Sequence, residues 1–319
     1  MLTTNFERAI FYSWACQLDE CCKYCYMSTL PKEKRTEERV RSFPSLLAET
    51  IILKAHKWDY GFLSGGIRVF PDEKIFDLLK KTDEIIKEKI WINIGILNKK
   101  QLIKFAPFIK GVVGTIETID PKLHKEICPS KSIEDVESMF EICKELDIDR
   151  GITFIVGLGE TIKDFKKLKD FISKWDVKKI HIYGLNPHKG TIYEDTLPPT
   201  AEYQAKWISK TREAFPDIDI QMGIWIDRVE RISTLLKAGA NSISKFPATR
   251  YFGTIKAKEI EEQAKLANRK FVGTLTKVRE KYCYQILDKL NFNKKLKEEI
   301  KVKLEQYLKK FKKNIEKSK

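Results

Sequence analysis

The stretch Gly151-Ile152-Thr153-Phe154-Ile155-Val156-Gly157, together with Lys179-Ile180-His181-Ile182-Tyr183-Gly184 further on, decides the fold. Between these two apolar runs lies a segment, 163–175, whose apolar residues Phe165, Leu168, Phe171, Ile172 and Trp175 recur every three or four positions. Short runs rich in β-formers read as strands, and the spacer reads as an amphipathic helix. Strand, crossover helix and strand make a right-handed unit with the strands parallel. Working outward, the same alternation predicts strands over 9–14, 60–64, 90–95, 111–118, 151–157, 179–184, 217–223 and 241–245, with helical periods also over 133–146 and 203–215. Eight repeats predict an α/β fold, a (β/α)8 barrel of the TIM type, whose chemistry sits in the loops after the strands. Ser64, Glu117, Gly157 and a cysteine-rich loop are therefore expected at one mouth.

From Thr254 onward the strand signal gives way to lysine-rich helical sequence. The chain has 319 residues and a net charge of +15, of which residues 254–319 carry +11. This divides the chain into a barrel, 1–253, and a C-terminal helical extension, 254–319. With 42% hydrophobic and 33% charged residues, the composition suits a folded chain with a sizeable core. No apolar run nears the roughly 20 residues of a membrane helix, and the acidic opening argues against a secretory signal, so a cytoplasmic location is expected. The positive charge invites a nucleic-acid reading. Its concentration in the extension, without interleaved aromatics to stack on bases, disfavours that.

Four of the seven cysteines fall within ten residues, Cys16-Gln17-Leu18-Asp19-Glu20-Cys21-Cys22-Lys23-Tyr24-Cys25. Disulfide frameworks spread their pairs along a chain, whereas a tight group reads as metal binding or redox chemistry. A zinc-containing nucleic-acid-binding protein is the reading from another class, but zinc wants a closed set of four ligands and this loop lacks a distant second pair. Three thiolates on a four-iron cluster would leave one iron open to a small molecule. The third thiol could be drawn from Cys21 or Cys22.

The loop, with Tyr24 before its last cysteine, resembles the cluster loop of the radical S-adenosylmethionine (radical SAM) enzymes. Their usual CX3CX2C pattern would need a cysteine at position 18, where Leu18 stands. Cys16, Cys22 and Cys25 give CX5CX2C, a spacing similar to that of the radical enzymes of guanylylpyridinol cofactor assembly, which serve [Fe]-hydrogenase. The wider likeness, over about residues 8–250, is to the biotin synthase-like branch. Phe62-Leu63-Ser64-Gly65-Gly66 resembles the glycine turn that receives the methionine amino group. Gly114-Thr115-Ile116-Glu117-Thr118 is similar to the element that holds the ribose, with Glu117 for Asp and Thr115 for Asn. Thr153-Phe154-Ile155-Val156-Gly157-Leu158-Gly159-Glu160-Thr161 resembles a GxIxGxxE segment in which Ile155 would pack on adenine and Gly157 would let the strand end approach it; Glu160 and Thr161 could equally cap a helix. Asn186-Pro187-His188-Lys189-Gly190-Thr191 resembles the Pro-Lys-Gly-Thr loop of that branch, and brings Pro187 to the cofactor.

The resemblance implies a [4Fe-4S] cluster on Cys16, Cys22 and Cys25, bound S-adenosyl-L-methionine, and its reductive cleavage to methionine and a 5′-deoxyadenosyl radical. It further implies a small-molecule substrate, a reduced ferredoxin- or flavodoxin-type donor and, from the loop spacing, the pyridinol precursor as product. A lipoyl- or biotin-synthase-like sulfur insertion is the alternative, disfavoured because Gly151-Ile152-Thr153 lacks the thiols of a second cluster. Arg228, His181, Tyr183, Arg68 and Arg250 are candidates to meet substrate, with an ion pair to Asp227 or Glu230 as the other reading of Arg228. His56 and His124 read as structural, and Cys21, Cys128, Cys143 and Cys283 have no assigned role.

Overall fold

The computed structural model describes residues 1–29 and 39–318. A short strand β1 (Thr3–Asn5) precedes β2 (Glu7–Phe11), the first of eight barrel strands. The others are β3 (Asp59–Ser64), β4 (Ile90–Asn93), β5 (Ile109–Glu117), β6 (Asp149–Val156), β7 (Lys179–Gly184), β8 (Asp219–Gly223) and β9 (Ser242–Ser244). Each pairs in parallel with the next in chain order, and a parallel bridge from Phe6 to Ile243 brings the last strand back to the first. These are the eight strands expected from the sequence, shifted by a few residues at their ends. They are legible because parallel strands are covered on both faces and so run nearly continuously apolar.

Helices α1 (Phe43–His56), α2 (Asp72–Ile86), α3 (Lys99–Phe105), α4 (Pro121–Ile127), α5 (Ile133–Glu145), α6 (Phe165–Trp175), α7 (Ala201–Ala214) and α8 (Ile232–Lys237) lie between successive strands. Their starts are chemically marked: Ser132 and Asp135 form a capping box at α5, and Asn98 with Gln101 forms another at α3.

Alternation along the strands fills the barrel in layers. At the N-terminal end, Glu7 takes Lys179 Nζ at 2.8 Å and the Ser242 hydroxyl at 2.6 Å, and Lys179 also meets Asp219. Above them Ala9, Phe62, Trp91 and Val113 form an apolar plug. The layer above that opens into the site.

After β9 come α9 (Ala248–Tyr251), α10 (Ile255–Leu266), strand β10 (Lys270–Val272), α11 (Glu280–Asp288) and α12 (Lys294–Lys317). β10, absent from the sequence reading, pairs in parallel with β1. Only three residues long, it carries too little pattern to stand out. α12 buries Ile300, Leu304, Leu308 and Phe311 and leaves lysines such as Lys301, Lys309, Lys310 and Lys313 exposed. Phe311 stacks on Phe252 at 4.2 Å between ring centroids, and the Tyr307 hydroxyl accepts from Arg41 at 3.0 Å. Arg41 and Arg8 both pair with Glu49 of α1, which is buried. Among the described residues, no helix is long and apolar enough to cross a membrane.

Candidate active site

The turn after β3 and the cysteine loop after β2 are built against each other. A Cβ on Gly66 would stand 1.1 Å from the Ala15 carbonyl oxygen, and one on Gly65 would stand 2.5 Å from the Tyr12 ring. Tyr12 donates its hydroxyl hydrogen to the Gly66 carbonyl at 3.0 Å, and the Gln17 N–H donates to the Ile67 carbonyl at 3.0 Å. Gly66 is thus required by the cysteine loop's own backbone and Gly65 by the Tyr12 ring, whatever they do for a ligand. Further along, the Lys23 N–H donates to Ile127 at 2.9 Å and Cys25 N–H to Cys22 at 3.0 Å, which fixes the loop over α4.

Cys16, Cys22 and Cys25 border one cavity of about 1110 Å³, its open mouth included, together with Tyr24, Ser64, Gly65, Gly66, Thr115, Glu117, Ile155 and Tyr183. Eleven residues singled out from the sequence therefore meet in one place. Tyr24 and Cys25 pack with Cys22, Cys128, Ile155 and Tyr183 in a single apolar cluster. A hydrogen bond with Cys21 draws the Cys16 thiol below its usual range. Cys128 does the same for Cys22 and is itself pushed up, as expected of the partner that keeps the proton. Burial raises Cys25 to about 12.

Glu117 ends β5 beyond a bulge, with a left-handed φ of 56°. Its carboxylate accepts from the Thr153 hydroxyl at 2.9 Å and faces Lys131 Nζ at 3.5 Å; Lys131 in turn donates to the Thr115 hydroxyl at 3.0 Å. Thr115 and Thr153 are thus tied to Glu117 through one network. A carboxylate has about four acceptor sites, so this network leaves two for a ligand. Lys131 carried no signal in the sequence beyond being a lysine in a loop.

Other expected residues lie apart. Gly157 sits at the same mouth but outside the cavity wall; the Glu160 carboxylate clamps its N–H and that of Leu158, each at 2.8 Å. Pro187 is half-buried between two wall residues, Asn186 and His188. Arg228, read as a possible substrate ligand, instead donates to the Leu185 carbonyl at 3.0 Å, to Asn186 and to Asp227 at 3.1 Å, so its fork positions the loop after β7. His181 is fully buried beneath the cavity, edge-on to Phe62 at 5.1 Å with Nδ1 3.1 Å from the Ile152 carbonyl. Arg68 and Arg250 are exposed, Arg68 on a separate cleft with Asn98 and Asp135. His56 and His124 are buried and hydrogen-bonded to backbone. Cys143 and Cys283 are core residues.

At the rim His188 stands between Tyr26 (5.5 Å) and Trp225 (5.9 Å), joining the cysteine loop to the loops after β7 and β8. Lys245, just past β9, completes the wall.

The Radical SAM superfamily model matches residues 13–172, just over half the chain. The chain is a member of the radical SAM superfamily. An uncharacterized protein of Methanocaldococcus jannaschii is 36% identical over 99% of this chain and 92% of its own length. The biotin synthase of Methanococcus vannielii is 27% identical over 66% of this chain and 61% of its own. The FeFe-hydrogenase maturase HydG of Carboxydothermus hydrogenoformans, at 15% identity, aligns with a TM-score of 0.63 over 95% of this chain and 82% of that one, a likeness of fold.

Radical SAM enzymes bind a [4Fe-4S] cluster and S-adenosylmethionine. The donor set here fits that group. Cys16, Cys22 and Cys25, three thiols of one loop, border one cavity. A four-iron cluster takes its thiolates from a short loop such as this one, whereas a structural zinc wants a closed set of four ligands.

Proposed function

We propose that Cys16, Cys22 and Cys25 hold the cluster, that S-adenosylmethionine lies along Ser64–Gly66, Glu117 and Ile155, and that the product is the pyridinol precursor of the guanylylpyridinol cofactor. When bound, the cluster supplies an open iron for the methionine amino and carboxylate groups and the electron that splits S-adenosylmethionine into methionine and a 5′-deoxyadenosyl radical. The observation that carries the reading is the meeting of the CX5CX2C thiols, the glycine turn and Glu117 on one cavity. The protein's own residues orient and exclude. Glu117, held by Lys131 and Thr153, keeps two acceptor sites for the ribose hydroxyls. Ile155, Leu185 and Tyr24 offer an apolar surface to the adenine, and the rim of Tyr26, His188 and Trp225 limits water.

Anaerobic reconstitution tests this directly. About four irons per chain and release of 5′-deoxyadenosine on reduction are expected. Cys16→Ala, Cys22→Ala and Cys25→Ala each lose both, whereas Cys21→Ala and Cys128→Ala keep both; a dependence on Cys21 in place of Cys22 would redraw the ligand set. About eight irons would favour the sulfur-inserting alternative. Accumulation of a pyridinol from cell extract only when the reconstituted enzyme and S-adenosylmethionine are both present tests the product.

A further inference from the structure

Among the described residues, the charged side chains of the cavity wall are compensated except for one. Glu117 and Lys131 pair, and Arg228 is spent on the loop after β7. Lys245, on the cavity wall with a left-handed φ of 68°, has no hydrogen bond and no ion pair among the described residues. Its Nζ lies 4.4 Å from the centroid of the Tyr183 ring and 5.8 Å from that of Phe11. Aromatic faces attract an ammonium but offset only part of what leaving water costs. That cost weakens its hold on the proton, Arg8 acting in the same direction and the charges of Glu117 and Cys25 opposing it without reversing it. A half-buried cation kept without a counter-ion in a binding cavity is a vacancy for an anion.

We propose that Lys245 anchors a carboxylate of the substrate, which is a small, otherwise apolar molecule bearing one such group. The walls beside Lys245 select the rest of that description. Phe11, Phe62 and Tyr183 are aromatic, and a single ammonium matches the single charge of one carboxylate, whereas a phosphate monoester carries nearly two. The inference rests on reading the cavity as the radical site, and it gives Lys245 the task that the sequence suggested for Arg228.

The test is equilibrium dialysis of the anaerobic holoprotein, with S-adenosylmethionine bound, against matched acids and amides: benzoate and benzamide, nicotinate and nicotinamide, phenylacetate and phenylacetamide, propionate and propionamide. At least one acid should bind about tenfold or more tightly than its amide. Lys245→Met should erase that preference while leaving iron content and amide binding as they are, and Lys245→Arg should restore most of it. If no acid outbinds its amide, or if the preference survives in Lys245→Met, the proposal is overturned. Weaker S-adenosylmethionine binding with an unchanged acid preference would place Lys245 on the cosubstrate and overturn it too. None of these readings depends on turnover, so failure of the radical chemistry shows separately, as missing 5′-deoxyadenosine.

Discussion

A methyl group on Gly66 would overlap the Ala15 carbonyl, so Gly66→Ala has to push the cysteine loop off its turn. The expected outcome is a barrel that still folds but loses most of its iron, read by iron analysis beside circular dichroism, with destabilisation of about 3 kcal/mol or more. Thr153 gives a finer probe. Thr153→Val removes the 2.9 Å donor to Glu117 and should weaken S-adenosylmethionine binding about tenfold, while Thr153→Ser restores it. A direct binding measurement in which valine and serine behave alike would remove Thr153 from the site. Residue identity alone showed which groups could meet, because strand alternation aims Thr115, Glu117 and Ile155 inward. It could not show which of them are already satisfied. Arg228 and Lys245 are both cations past a strand end, and only the folded neighbours reveal that one is bound to carbonyls while the other meets, among the described residues, only aromatic faces.

At the scale of elements, the end of α1 is the joint between barrel and extension. His56 donates from Nδ1 to the Ile52 carbonyl at 2.8 Å and accepts the Arg279 N–H at Nε2 at 3.2 Å, with Phe252 and Phe311 edge-on to its ring. Burial holds this imidazole down to about 4. Its unfolded value lies near 6.5, so below that pH the unfolded chain takes up a proton that the folded chain refuses. Stability contributed here is whole above about pH 6.5 and is lost as the pH falls toward 4, about 2 kcal/mol being gone at pH 5. Urea unfolding at pH 7 and pH 5 should show a larger difference for wild type than for His56→Gln. Phe311→Ala, which empties the stack on Phe252, should cost about 3–5 kcal/mol. The helical, lysine-rich character of this region is legible in the sequence, but the extent of α12 and its buried stripe come from the structure. So does its seat on α1, because a stripe says that something is covered and not by what.

For the whole molecule, charge is distributed as chemistry requires. Residues 254–319 carry +11 of the net +15, largely on the outer faces of α10 to α12, away from the cavity. If this face docks an acidic flavodoxin- or ferredoxin-type donor, reduction by such a protein should slow several-fold between about 0.05 and 0.5 M salt, while reduction by dithionite should not. Equal salt dependence of the two would detach the extension from electron delivery.

The pairing of β1 with β10, beside the bridge from Phe6 to Ile243, sets an order of events during synthesis. The segment that carries the thiols leaves the ribosome before most of the barrel that surrounds it. The strands that complete the wall around it leave more than two hundred residues later, and contacts so far apart in sequence form slowly. Until then the cysteines have no enclosure against oxygen or adventitious metal. Synthesis under anaerobic conditions therefore protects a stage that the finished enzyme no longer passes through, and cluster loading is best timed after the last strand has closed the ring.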